Sequence, residues 1–212
     1  MAVKIKPVTA GWILAAVYIA GASALMIPHT SSFMKNFIWP AMLLTTIVLL
    51  CFHKKWSKEF VFSLMLTGFS GFLISVIGLK TGYVFGFFQY GFTLGYRFWD
   101  TPLMMIPYWM TTVYVCRQVA EMVARDTFLV SVLAAGCMTL LDYFLEPFAI
   151  KFGLWSWNQG TVPLHNYIGW FISGLIIQYV YCKSIKLPPN KLSLVIYLIQ
   201  LGFFIALYLL GK

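Results

Sequence analysis

Polar positions along this chain fall in short clusters. Between them apolar residues run on for about 17 to 25 positions, the length of helix that crosses roughly 30 Å of hydrocarbon. Seven such runs, bounded by charge, proline or glycine, lie near 9–27, 34–52, 60–79, 102–123, 127–150, 166–182 and 191–210. The pattern predicts an all-α fold, a polytopic integral membrane helix bundle in which residues 1–212 form a single membrane-embedded domain. The opening "MAVKIKP" and the run after it resemble a signal peptide. They lack a clear small-x-small cleavage site and the run is long enough to span, so it reads as the first helix.

Two connecting stretches differ from ordinary loops. "KTGYVFGFFQYGFTLGYRFWDTP" (80–102) and "KFGLWSWNQGTVPLHNYIGW" (151–170) are rich in glycine and aromatic residues. An aromatic belt at the headgroups accounts for single aromatics. It does not account for Gly82, Gly86, Gly91, Gly95, Gly153 and Gly160, which predict turns and close backbone approach. Irregular backbone at membrane depth must pack on protein or line a cavity, so both stretches are expected to be re-entrant or interfacial elements.

Charge sets the orientation. Only 10% of the 212 residues are charged against 61% hydrophobic and 18% aromatic, and the net charge of +9 comes from scattered loop lysines and arginines. That scatter is the positive-inside pattern and predicts no nucleic-acid partner. With seven crossings, Lys4, Lys6, Lys54, Lys55, Lys58, Arg125, Lys183, Lys186 and Lys191 share the N-terminal side, and Lys35, Lys80, Arg97, Lys151 and Lys212 the other. The N-terminus is therefore expected in the cytoplasm of a bacterial cell (inner) membrane, with both aromatic stretches outside. The four cysteines lie in apolar runs without C-x-x-C spacing and read as small buried hydrophobes.

Within "LDYFLEPFAIKFGLWSWN" (141–158) two acids, Asp142 and Glu146, stand one helical turn apart on one face, with Thr139 and Ala135 continuing that face and Gly136 leaving room for a neighbour. Asp126 is the expected N-cap of this helix, and Pro147 weakens it where the second aromatic stretch begins. A charged side chain at the bilayer centre costs about 2.5–3.5 kcal/mol on insertion scales, which makes a functional role the default reading. The alternative is a structural pair, or one compensated by Arg97 or Lys151. Two close carboxyls in a low dielectric do not both ionise easily, so one is expected to keep its proton. Such a pair can protonate a poor base such as an alkene and orient a water, while aromatic faces stabilise the cation in between.

Other polar groups read more simply. Arg117 and Glu121 are expected to be a snorkelling ion pair, His29 and His53 solvated, and Gln178 and Gln200 interhelical hydrogen-bonding amides. His165 is within reach of the outer cavity. No nucleotide, haem or zinc-protease motif is present, so cofactor-free, metal-free chemistry is expected.

The order acid, acid-Pro, Gly-x-Trp-x-Trp, Pro-x-x-Asn, Gly-Trp maps onto Asp142, Glu146-Pro147, Gly153 to Trp157, Pro163 to Asn166 and Gly169-Trp170. Together with "TGYVFGFFQY" and Trp109 on the next helix, it resembles the CruF-type membrane carotenoid hydratases, which include carotenoid 1,2-hydratases and bisanhydrobacterioruberin hydratase. The resemblance covers about residues 60–182. Glu146 and Phe88 depart from the family pattern, which commonly carries Asp and Tyr there.

The resemblance implies addition of water across the terminal C1=C2 bond of an acyclic, lycopene-like carotenoid, giving a tertiary alcohol. Asp142 and Glu146 would share the proton chemistry, Tyr90, Trp155 and Trp157 would shape the cation pocket, and Asn158 or Asn166 would place the water or orient a carboxyl. Trp109, His165, Trp170 and Arg97 are supporting candidates. Three alternatives stay open: an intramembrane prenyltransferase reading D-x-x-x-E as diphosphate-metal acids, a carotenoid cyclase, and a proton-coupled transporter or accessory subunit.

Overall fold

In the computed structural model, which describes residues 5–210, the chain is a helix bundle capped at one end by short paired strands. The α-helices are α1 (Pro7–Met26), α2 (Pro28–Met34), α3 (Ile38–Cys51), α4 (Lys58–Thr81), α5 (Met105–Ala120), α6 (Thr127–Phe152), α7 (Leu164–Ser184) and α8 (Lys191–Leu210). Seven of these match the apolar runs, with ends displaced by a few residues. The run expected from 34 begins instead as α2, passes through a 3-10 turn at Lys35–Phe37 and continues as α3. Lys4 and Lys212, two of the charges used for orientation, lie outside the described residues.

The helix ends follow the local chemistry. Ser57 and Asp126 cap α4 and α6, their side chains accepting from Phe60 N and Leu129 N at 3.2 and 2.9 Å. Both helices stop at a left-handed glycine, Gly82 (φ +69°) and Gly153 (φ +72°). Pro147 does not end α6, which continues five residues beyond it.

Among the described residues five segments are long and apolar enough to cross a membrane: Pro7–Met26, Pro28–Cys51, Lys58–Thr81, Thr127–Phe152 and Lys191–Leu209. Of the other two long helices only α5 sits inside; α7 keeps an exposed stripe at Ile168, Ile172, Ile176 and Val180. Buried along most of its length, α5 packs against α4, α6 and α8, and α7 lies chiefly against α6. The close α6–α7 approach comes from Gly174, beside Ala135 and Met138, and not from Gly136, which meets nothing. Gln178 Nε2 donates to Val113 O (3.0 Å) and Gln200 Nε2 to Tyr18 Oη (3.1 Å), joining helices as expected.

Three expectations for polar residues are corrected. Arg117 is buried, not snorkelling: its guanidinium donates to Glu121 Oε1 (2.8 Å), to Tyr181 O (3.0 Å) and to Ile185 O (2.6 Å), holding the carbonyls that α7 leaves free at its end. His53 is buried rather than solvated, stacked on Phe60 and bonded to Tyr114 Oη and Lys55 O, both at 2.8 Å. Cys51 is exposed rather than buried.

The aromatic stretches form two small antiparallel pairs. Strand β1 (Phe88–Tyr90) pairs with β4 (Trp155–Trp157), and β2 (Arg97–Phe98) with β3 (Thr101–Pro102). The first pair ties the two stretches together across more than sixty residues of sequence. Gly91 makes this possible, because a Cβ there would run into the carbonyl of Gly153.

Candidate active site

Each strand of the β1–β4 pair turns alternate residues inward, since side chains on a strand point to opposite faces. Phe88, Tyr90, Trp155 and Trp157 are buried, while Gln89 and Ser156 face out. Phe88 stands opposite Trp157 and Tyr90 opposite Trp155. The four rings form a ceiling over the outer part of α6.

Beneath it lie the two acids. Asp142 and Glu146 are 0% and 2% exposed. Asn166, in the first turn of α7, donates Nδ2 to Asp142 Oδ2 at 2.7 Å and to Glu146 Oε1 at 3.1 Å. One nitrogen touching both places the two oxygens within 5.8 Å of each other. Trp155 Nε1 and Trp157 Nε1 both donate to Glu146 Oε2 at 3.0 Å. Glu146 thus receives three N–H donors and Asp142 one, and Asp142 Oδ1 is buried without a protein partner. No ion pair joins either acid to a cation among the described residues, which sets aside compensation by Arg97 or Lys151.

Beside Glu146 is a small chamber lined by Ser75, Phe85, Phe88, Tyr90, Met105, Glu146, Trp155, Trp157, Asn166 and Trp170, with Asp142 buried behind it. Trp170 is stacked on Trp109, centroids 4.7 Å apart, and Trp109 Nε1 donates to Ser75 Oγ at 3.2 Å. Trp109 therefore backs the wall instead of facing the chamber. A Cβ at Gly169 would strike the carbonyl of Val84, so this glycine lets the first aromatic stretch lie directly on α7. Among the described residues no three of His, Cys, Asp and Glu come together.

Of the residues singled out from sequence, Asp142, Glu146, Asn166, Tyr90, Trp155, Trp157 and Trp170 meet here, with Trp109 behind them. Three do not. Asn158 is exposed in the turn after β4, held by its backbone N–H on Phe87 O (3.1 Å). His165 is exposed and bonds the carbonyl of Tyr83. Arg97 sits in the β2–β3 hairpin with its guanidinium over the Phe92 ring at 4.4 Å. Sequence reasoning missed Ser75 and Met105, which line the chamber from apolar helices with no spacing signal to mark them.

A membrane helix bundle with a carboxyl pair buried under aromatic rings defines a class: an integral membrane protein with an enclosed acidic centre. The match to a family model narrows it. Residues 36–210 match the family described as "Carotenoid biosynthesis protein", and the chain belongs to that family. Among curated proteins it is similar to the bisanhydrobacterioruberin hydratase of Haloarcula japonica, 29% identical over 116 residues. That alignment covers 49% of this chain and 38% of the relative, so the chain spans well under half of the relative's length. No solved structure matches.

Proposed function

We propose that the chain is a carotenoid hydratase, a hydro-lyase that adds water across the terminal C1=C2 double bond of an acyclic, lycopene-like carotenoid end group to give a tertiary alcohol. The observation that carries this reading is the single Asn166 amide bridging two fully buried carboxyls under an aromatic ceiling. The family and the hydratase relative support carotenoid chemistry. Three converging donors are the bonding pattern of a carboxylate, whereas a single donor with an unpartnered Oδ1 leaves room for an O–H. This supports assigning the proton to Asp142 and the charge to Glu146.

Asp142 then gives its proton to C2, and the π electrons of C1=C2 form the new C–H bond. The tertiary cation at C1 lies among ring faces and the Glu146 charge. Water forms the C1–O bond and Glu146 takes its surplus proton. Proton return from Glu146 to Asp142, within the distance Asn166 enforces, restores the starting state. The bilayer delivers the polyene, and water enters beside the carboxyls. For orientation, we propose a cytoplasmic N-terminus in a bacterial cell membrane, checked by reporter fusions to both ends.

The test is co-expression with a polyene-producing host and mass spectrometry of the pigment. Hydration adds one water to the mass, cyclisation leaves it unchanged, and a transporter leaves the pigment untouched. Asp142→Asn and Glu146→Gln should each abolish product while leaving extractable, monodisperse protein, and the double variant should be little worse. Two well-folded variants that still hydrate would end this reading.

A further inference from the structure

A second and larger cavity lies against a neighbouring face of α6. It is bounded by α1, α3, α5, α6 and α8, and encloses about 930 Å³ with its open mouth included. Its wall is almost entirely carbon. The hydrogen-bonding groups in it are turned on one another: Gln200 Nε2 donates to Tyr18 Oη, Tyr18 Oη pairs with Thr45 Oγ1 at 3.1 Å, and Thr112 Oγ1 donates to Tyr108 O at 2.9 Å. A long hydrocarbon fits such a wall, and a polar ligand does not.

The groove and the chamber are neighbours through single residues. Leu145 lines the groove, and the next residue, Glu146, lines the chamber; Leu154 and Trp155 repeat the relation. Leu141 lines the groove one position before Asp142. Tyr108 also lines it and meets Trp170 of the chamber edge-on at 6.1 Å between centroids. Adjacent residues of α6, and of the stretch after it, thus line the hydrocarbon groove and the chamber that holds Glu146.

We propose that this groove is the binding site for the polyene stem of the substrate, lying along α6, with the end group passing the Tyr108–Leu145 wall to reach Asp142. The proposal rests on the hydration reading for the identity of its occupant. It adds that recognition of the long chain is separate from the chemistry, and that Tyr108 is a positioning residue at the junction.

Gly21 gives a direct test, because it lines the groove and a Cβ there meets nothing within 4 Å. Gly21→Phe, and Ala41→Phe on the α3 wall, fill the groove from inside. Binding is read in the Glu146→Gln background by quenching of tryptophan emission on titration with an acyclic C40 polyene. Turnover is read in the active protein.

Both variants should weaken polyene binding roughly tenfold or more and slow hydration in parallel, whereas Ile77→Phe, on the outer face of α4, should change neither. Wild-type binding and turnover in both filled variants would overturn the inference. So would purified protein that releases only phospholipid which the polyene fails to displace. Groove-dependent polyene binding in a protein that adds no water would leave this site standing and remove the hydratase reading alone.

Discussion

Trp155→Phe and Trp157→Phe probe the part of the site that the strand pair supplies. Phenylalanine keeps an aromatic face over the chamber but is smaller than indole and lacks its N–H, so each change deletes one 3.0 Å bond to Glu146 Oε2 together with some ring contact. A hydrogen bond to a charged group contributes about 1.5–3 kcal/mol. If Glu146 works as a carboxylate, as proposed, each deletion should slow hydration by about 10- to 100-fold at roughly 1.4 kcal/mol per decade. The double variant should lose more than either single but less than the product of the two, because both donors share one oxygen.

Trp170→Phe is the control. It lines the same chamber and stacks on Trp109 but bonds neither acid, so it should cost less than about tenfold. The assay is the initial rate of water incorporation into the carotenoid, by mass, per unit of folded detergent-solubilised protein. A double variant within a few-fold of wild type, or a Trp170→Phe variant as damaged as the double, would refute the claim that the indole donors hold the working charge.

Three further outcomes follow from the same structure. Arg117→Met should destabilise the protein by about 3 kcal/mol in thermal unfolding, since Glu121 is left with Gln118 alone and the Tyr181 and Ile185 carbonyls lose the guanidinium, with activity per folded molecule retained. Gly91→Ala should loosen the β1–β4 pair and lower hydration with little loss of helix content by circular dichroism, because its Cβ meets the Gly153 carbonyl. Stability should fall as pH drops through about 6.5. Burial holds the His53 imidazole below its usual range, with the Lys55 carbonyl opposing that shift, so the unfolded chain takes up the proton first. His53→Gln should flatten that dependence in melts at pH 7.5 and 5.5, and an unchanged slope would count against the assignment.

The helices and the acid pair were legible because both are local. A seven-helix reading needs only run lengths, and Asp142 and Glu146 share a face by virtue of four-residue spacing alone. Arg117 and His53 were misread for a related reason. A cation near a helix end looks solvated until another helix, here the end of α7, presents carbonyls to it. The β1–β4 pair was not legible at all: three residues a side carry too little alternation to mark a strand, and the partners lie more than sixty residues apart.

That pairing gives the two acids surroundings that a carboxyl pair merely tolerated inside a helix bundle would lack. Trp155 and Trp157, two apart on a strand, necessarily turn their indoles to the same side. Helical spacing would have carried the second about 200° around the axis. The sequence W-S-W therefore converges two donors on one carboxylate oxygen only because the second aromatic stretch is extended. It is extended only because Gly91 lets the first stretch approach the backbone at Gly153. Glycine, strand and indole act in series on Glu146, and Asp142, one turn inward, receives none of those donors. The asymmetry between the two acids thus arises from the short strands and not from the helix that carries both.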